Sequence, residues 1–132
     1  LEDQEYKIKS FLAGCLRWDR LSQKMLYQEF YGYGMSICLR YANSRDEAVH
    51  ILNEGFMKVF TSINKFDVNK PFKPWLRKII INTAIDHYHQ KKQQIQTEEI
   101  QSAHDESGSE NILSGISYQE LLEMLQRVSP GY

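Results

Sequence analysis

Nothing in this chain is apolar for long. No hydrophobic run approaches the roughly 18 residues a membrane-spanning helix needs, so membrane insertion is not expected. The first residues, LEDQEYKIKS, put acids ahead of any apolar stretch and carry no signal-peptide pattern, which makes the cytoplasm the expected compartment. Cysteine is scarce. Cys15 and Cys38 are the two in the chain, in the contexts CLRW and ICLRY. Their wide spacing in apolar helical settings fits buried free thiols of a reducing compartment better than a disulfide. No Cys/His spacing of a structural zinc site is present. His87 and His89 stand two apart and cannot face one metal on a helix, while His50 and Glu54 at i and i+4 are two donors without a third. Neither a metal nor any other cofactor is therefore expected. Paired catalytic carboxylates, a nucleophile with its base and a phosphate-cradling glycine loop are also missing, so nothing points to an enzyme. Strand-like alternation and internal repeats are absent too.

What remains is a 132-residue chain with room for one domain and a tail. It reads as a piece of a longer protein, since it opens without Met and stops abruptly at Ser129-Pro130-Gly131-Tyr132. Its net charge of −1 hides a segregation. Residues 1–57 hold seven basic and eight acidic groups, residues 58–92 eight basic against Asp67 and Asp86, and residues 93–132 only Arg127 against seven acids. The three segments thus carry −1, +6 and −6. A basic block followed by an acidic tail suits a polyanion-binding surface and a separate solvated segment, with an ordinary charged face as the plain alternative.

Apolar spacing predicts an all-α bundle. A first helix covers Asp3 to Leu16, with Ile8, Phe11, Leu12, Cys15 and Leu16 on one side. Asp19 or Ser22 caps a second, running from Leu21 to Ala42, whose wide apolar face includes Leu26, Phe30, Tyr33, Ile37, Cys38 and Tyr41 beside Tyr27, Tyr31 and Met35. Ser44-Arg-Asp-Glu47 is a capping box that opens a third helix with Ala48, Ile51, Leu52, Phe56, Val59, Phe60 and Ile63 at helical spacing. Asn64 to Lys70 reads as a loop. Pro71 and Pro74 fit the first turn of a fourth helix that continues to Lys91. Gln93 to Ser114 reads as a flexible acidic linker. A second capping box, Ser117-Tyr-Gln-Glu120, opens a short helix with Leu121, Leu122, Met124 and Leu125, which cannot bury much by itself.

The fourth helix carries the informative pattern. Leu76, Ile80, Thr83, Ala84 and His87 share one side, and Ile81, Ile85 and Tyr88 another, so most of its circumference is expected to be buried. Trp75, Lys78, Asn82, Asp86 and His89 occupy the remaining arc. On that arc Trp75 offers a base-stacking surface, Lys78 a phosphate contact and Asn82 a paired donor and acceptor for a base edge. Lys91 and Lys92 extend the positive field. The plain readings stand beside these. Trp75 next to Leu76 fits a core position, Asn82 a solvated or interhelical one, and Asp86 a group that orients Lys78, Asn82 or His89.

Three ordered pieces, LY..FY....CLRYA, EA..IL.EGF.KVF and F…F.PWL..I..N.AID, together make residues 26–92 resemble region 2 of bacterial RNA polymerase sigma factors, most closely the extracytoplasmic-function (ECF) group. The tail SYQELLEMLQRVSPGY is similar to the opening of the family's region 4. The resemblance implies a region 2 helical domain over residues 1–92, a flexible linker over 93–116 and the start of a truncated region 4 over 117–132. It implies two surfaces. Asp46, Glu47, Ile51, Leu52, Glu54, Gly55 and Phe56 would bind the clamp helices of the β′ subunit of core polymerase. Phe66, Asp67, Val68, Asn69 and Lys70 would capture a flipped base, and with Lys73, Trp75, Lys78, Asn82, Asp86, His89, Lys91 and Lys92 would recognise and help melt the minus-ten element on the single-stranded nontemplate strand of promoter DNA. An anti-sigma factor is a further partner the resemblance implies. The chain departs from the family where His50-Ile51-Leu52-Asn53-Glu54 replaces Asp-Ile-Leu-Gln-Glu, and His89 stands where arginine is usual. The His50 and Asn53 departures motivate the alternative of a helical protein-interaction module that keeps the fold without binding promoter DNA.

Overall fold

The computed structural model describes residues 2–98 and 113–128, with side chains from 3 to 94 and from 117 to 127. The expected linker lies outside these residues from 99 to 112, as does the end of the chain after 128. Five helices make up the described residues: α1 Glu2–Leu16, α2 Arg20–Cys38, α3 Arg45–Ser62, α4 Phe72–Glu98 and α5 Leu113–Val128, with a 3-10 turn at Ile63–Lys65. The architecture is the all-α bundle that the apolar spacing predicts. None of the described helices is long and apolar enough to cross a membrane.

Local chemistry accounts for the joints. At the end of α1, Trp18 N–H donates to Cys15 O and Asp19 N–H to Gly14 O, both at 3.0 Å, which satisfies carbonyls the helix leaves open. Trp18 takes φ 59°, a left-handed position usually given to glycine. Asp19 is the cap of α2, accepting from the Ser22 hydroxyl at 2.7 Å and its N–H at 2.9 Å. Those bonds hold its carboxyl below the usual range. α2 stops at Cys38 rather than Ala42, because the chain tightens into bonds from Arg40 N–H to Ile37 O and from Tyr41 N–H to Cys38 O, leaving Tyr41 exposed. Ser44 Oγ then accepts from Glu47 N–H at 3.1 Å, and the Glu47 carboxylate reaches back to Asn43 N–H at 2.7 Å, so the predicted capping box closes one residue further out.

The core lies where α2, α3 and α4 meet, around Leu26, Tyr27, Ile51, Leu52, Phe56, Phe60, Leu76 and Ile80. Each such side chain stabilises the fold by about 1.5–3 kcal/mol. Two glycines set the spacing. A Cβ on Gly34 would fall 2.4 Å from Leu52 Cδ1 and 3.3 Å from Ile80 Cδ1, and one on Gly55 3.3 Å from Ile80 Cγ1. The missing side chains let the three helices close on Leu52 and Ile80.

α4 differs from expectation at both ends and around its girth. It starts at Phe72, so Pro71 precedes it and Pro74 lies in its first turn. It runs past Lys91 to Glu98, because QQIQTE lacks an apolar face yet holds no residue that breaks a helix. Leu76, Ile80, Thr83 and Ala84 are buried as expected, but Ile85 and Tyr88 are exposed, since α2 and α3 cover only one side of this helix. α5 begins at Leu113, which puts Ser117 inside the helix rather than at its cap. It packs on α3 and α2, and Leu121 and Leu125 become fully buried by that docking.

Candidate nucleic-acid interface

On α4, Lys78, Asn82, Asp86 and His89 are exposed, and Trp75 is half-buried. Asn82 stands four positions after Lys78, a rise of about 6 Å along the same side of the helix. Asp86 does not serve as an orienting group on its own helix. Its carboxylate lies 3.8 Å from Lys58 Nζ on α3, an exposed pair that contributes little to stability.

The segment before α4 is pinned by aromatics. Phe66 is buried, not offered to solvent: its ring lies 4.8 Å from that of Trp75 and 5.7 Å from that of Phe72. Phe72 in turn packs 5.1 Å from Phe30 on α2. Phe66, expected to take part in capturing a base, thus faces the rings of Trp75 and Phe72, because an aromatic residue flanked by two others gains more from burial than from solvent. Asp67, Val68, Asn69 and Lys70 are exposed. The Asp67 carboxylate accepts from Asn69 N–H at 3.0 Å, which sets the turn. Beside this turn opens a cleft of about 640 Å³, lined by Val68, Asn69, Lys70 and Lys73 on one side and by Ile8, Lys9 and Leu12 of α1 on the other. Lys73 Nζ sits 4.6 Å from the Tyr33 ring centroid, which orients its charge. An apolar floor and three ammonium groups, offset in part by the Glu5 carboxylate, together can hold a base and its phosphate. Nothing in the sequence marks the α1 side of the cleft, since Lys9 lies on the polar side of an amphipathic helix, where a lysine is ordinary.

Lys91 and Lys92 part company. Lys92 is exposed, whereas Lys91 Nζ donates to Glu47 Oε2 at 3.0 Å and so is held toward α3. Burial alone would raise the Glu47 carboxyl; hydrogen bonds from Asn43 N–H, Lys91 and His87 outweigh it and hold it below the usual range.

The α3 set divides the same way. Ile51, Leu52, Gly55 and Phe56, expected among the residues that meet polymerase, are buried in the core in this arrangement. Asp46, Glu47 and Glu54 are the members that reach the surface. Asn53, beside them, is fully buried: Tyr27 Oη donates to its Oδ1 at 2.8 Å and its Nδ2 donates to Ser117 O at 3.0 Å. α5 therefore lies along the same helix that the resemblance gives to polymerase. The third donor that His50 and Glu54 lacked in the sequence arrives from α4. His87, expected in the core, is only partly buried and lies within 4.0 Å of Glu54.

Comparison with known proteins agrees with this architecture. Over 56 residues the chain is 36% identical to the ECF RNA polymerase sigma factor SigW of Bacillus subtilis (strain 168), a match covering 42% of this chain and 30% of that relative. The chain thus spans under a third of the relative's length. Its fold is similar to that of an engineered region 2 of sigmaE solved by NMR in complex with GTAAAA, with a TM-score of 0.59, 24% identity, and coverage of 69% of this chain and 93% of the other. Residues 26–94, which are 69 of the 132, match the family described as Sigma-70 region 2, and the chain belongs to that family.

Proposed function

We propose that this chain is the promoter-binding part of an ECF-type sigma factor, which docks on core RNA polymerase and recognises and helps melt the minus-ten element. The observation that carries this reading is the exposed Lys78–Asn82 stripe of α4, with the lysine-lined cleft at Val68–Lys73 before the same helix as a second feature. Lys78 neutralises a phosphate, Asn82 reads a base edge and Trp75 stacks from the side. An unpaired nontemplate base enters the cleft, where Lys9, Lys70 and Lys73 hold its phosphate. Capturing an unpaired base stabilises the open form of DNA at the expense of the duplex. The chain acts by binding and has no catalytic chemistry of its own. Its partners are the β′ clamp helices, met through the Asp46, Glu47 and Glu54 edge of α3, the nontemplate strand, and an anti-sigma factor. It works in the cytoplasm. Residues 117–132 are the opening of region 4, joined to region 2 by the acidic stretch from 93 to 116.

Fluorescence anisotropy with single-stranded minus-ten DNA tests the reading. Asn82→Ala should erase sequence preference and Lys78→Ala should weaken all sequences alike. Retention of both affinity and preference in the double variant sinks the assignment. The alternative, a protein-interaction module with this fold, draws on one observation, the docking of α5 on α3 through Asn53 and Ser117. A pull-down with core polymerase separates the two, because failure to bind core under any salt condition favours the alternative.

A further inference from the structure

Three side chains from two helices converge at the open edge of the α3–α4 junction. His50 and Glu54 stand one turn apart on α3, and His87 comes from α4. One donor atom from each lies within 4.8 Å of the others. His50 Nε2 is 3.2 Å from Glu54 Oε2, and His87 Nδ1 is 4.0 Å from Glu54 Oε1. In a tetrahedral zinc site, with bonds of about 2.0–2.2 Å, ligand atoms sit about 3.4 Å apart; the two separations run to opposite oxygens of Glu54, so the carboxylate turns one oxygen inward as the site closes. We propose that His50, Glu54 and His87 form a binding site for a divalent transition metal of the zinc class.

The fourth residue of the cluster strengthens the case. His87 Nε2 lies 3.0 Å from Glu47 Oε2. An ionised carboxylate only accepts, so Nε2 donates to Glu47 and Nδ1, on the Glu54 side, is the nitrogen left to hold an ion. That is the carboxylate–histidine–metal relay which fixes tautomer and ring orientation at metal sites. Glu47 is itself held by Asn43 N–H at 2.7 Å and by Lys91 at 3.0 Å, so His87 is oriented before any ion arrives. His50 and Glu54 are more exposed, with side-chain exposures of 46% and 35% against 18% for His87, and can close by small rotations. The three donors face a cavity of about 760 Å³ that leaves a fourth position for water or for a group from a partner. Two imidazoles and one carboxylate suit zinc, cobalt or nickel and do not suit magnesium or calcium, which prefer oxygen donors. A bound ion would clip α3 to α4. The site shares Glu54 and its neighbour Glu47 with the α3 edge proposed to meet polymerase, but metal binding is read without polymerase or DNA, so failure of one reading is distinguishable from failure of the other.

The test is calorimetric titration of the chelator-treated full chain with Zn²⁺ alone, paired with visible absorption of the Co²⁺ form. One equivalent should bind, with a rise in Tm. His50→Ala and His87→Ala should each weaken binding by at least about 100-fold, and Glu47→Gln by about 10- to 100-fold. His89→Ala should bind like the unsubstituted chain. The Co²⁺ bands of a four-coordinate site should vanish in His87→Ala. Circular dichroism checks that the variants fold; His50 is a surface residue, so His50→Ala decides the matter if His87→Ala does not fold. Absence of saturable Zn²⁺ binding, or unchanged affinity in His50→Ala, overturns the proposal.

Discussion

Asn53 donates its side-chain N–H to the carbonyl of Ser117, 64 residues away in the chain, at 3.0 Å. Both partners are buried, and the other end of the same amide accepts from Tyr27. One side chain thus ties α2, α3 and α5 together. Asn53→Ala removes two buried hydrogen bonds, each worth about 0.5–1.5 kcal/mol, and leaves a cavity where the amide stood. The expected result is a loss of about 2–4 kcal/mol in urea unfolding. Asn53→Gln restores the amide but adds a methylene to a closed space, at about 1–3 kcal/mol.

α5 adds its own share by burying Leu121 and Leu125 on the bundle. Leu121→Ala should destabilise the protein by about 2–4 kcal/mol. Removing residues 113–132 should raise affinity for a β′ clamp-helix peptide by about tenfold, equivalent to about 1.4 kcal/mol of α5 docking, measured by anisotropy. Equal affinity with and without α5 would show that it does not shield the polymerase-facing edge of α3.

The cleft beside Val68–Lys73 includes Lys9 of α1. Lys9→Ala should weaken single-stranded DNA binding at low salt. It should also flatten the plot of log affinity against log salt by about 0.7, the value for one phosphate contact on a single strand. Sequence preference should survive, because Lys9 touches no base edge.

Cys15 and Cys38 are both fully buried, and burial pushes each thiol up to about 12. Neither should react with a thiol reagent at neutral pH in the folded protein, and two should react after denaturation. The pH dependence follows. Above about pH 8.5 an unfolded cysteine loses its proton while the folded one keeps it, so stability falls as pH rises from there toward the folded value. Melting temperatures across this range check the sign.

Gly34 faces Leu52 too closely to accept a side chain. Gly34→Ala should cost about 1–3 kcal/mol, partly offset by the better helix propensity of alanine. Gly32, with no atom near its missing Cβ, is the control, and Gly32→Ala should be neutral or stabilising.

Much of the molecule was legible in the sequence by itself. The spacing of Leu26, Phe30 and Ile37, or of Ile51, Leu52, Phe56 and Val59, marks the buried face of a helix, and Ser44 and Asp19 mark where helices begin, because both signals are local. The exposed stripe of Lys78 and Asn82 follows from the same period. Only the tertiary structure decided what lies opposite each face. Ile85 and Tyr88 have the composition of core but find no neighbour, and Phe66 in a polar loop finds two. Lys91 turns to Glu47, and Ser117 hands its carbonyl to Asn53 instead of capping a helix. His87 completes a set with His50 and Glu54, residues more than 30 positions earlier in the chain. Helical periodicity orients a side chain about its own axis. The distance between side chains on different helices depends on how those helices cross, here set by the contact of Gly34 and Gly55 with Leu52 and Ile80.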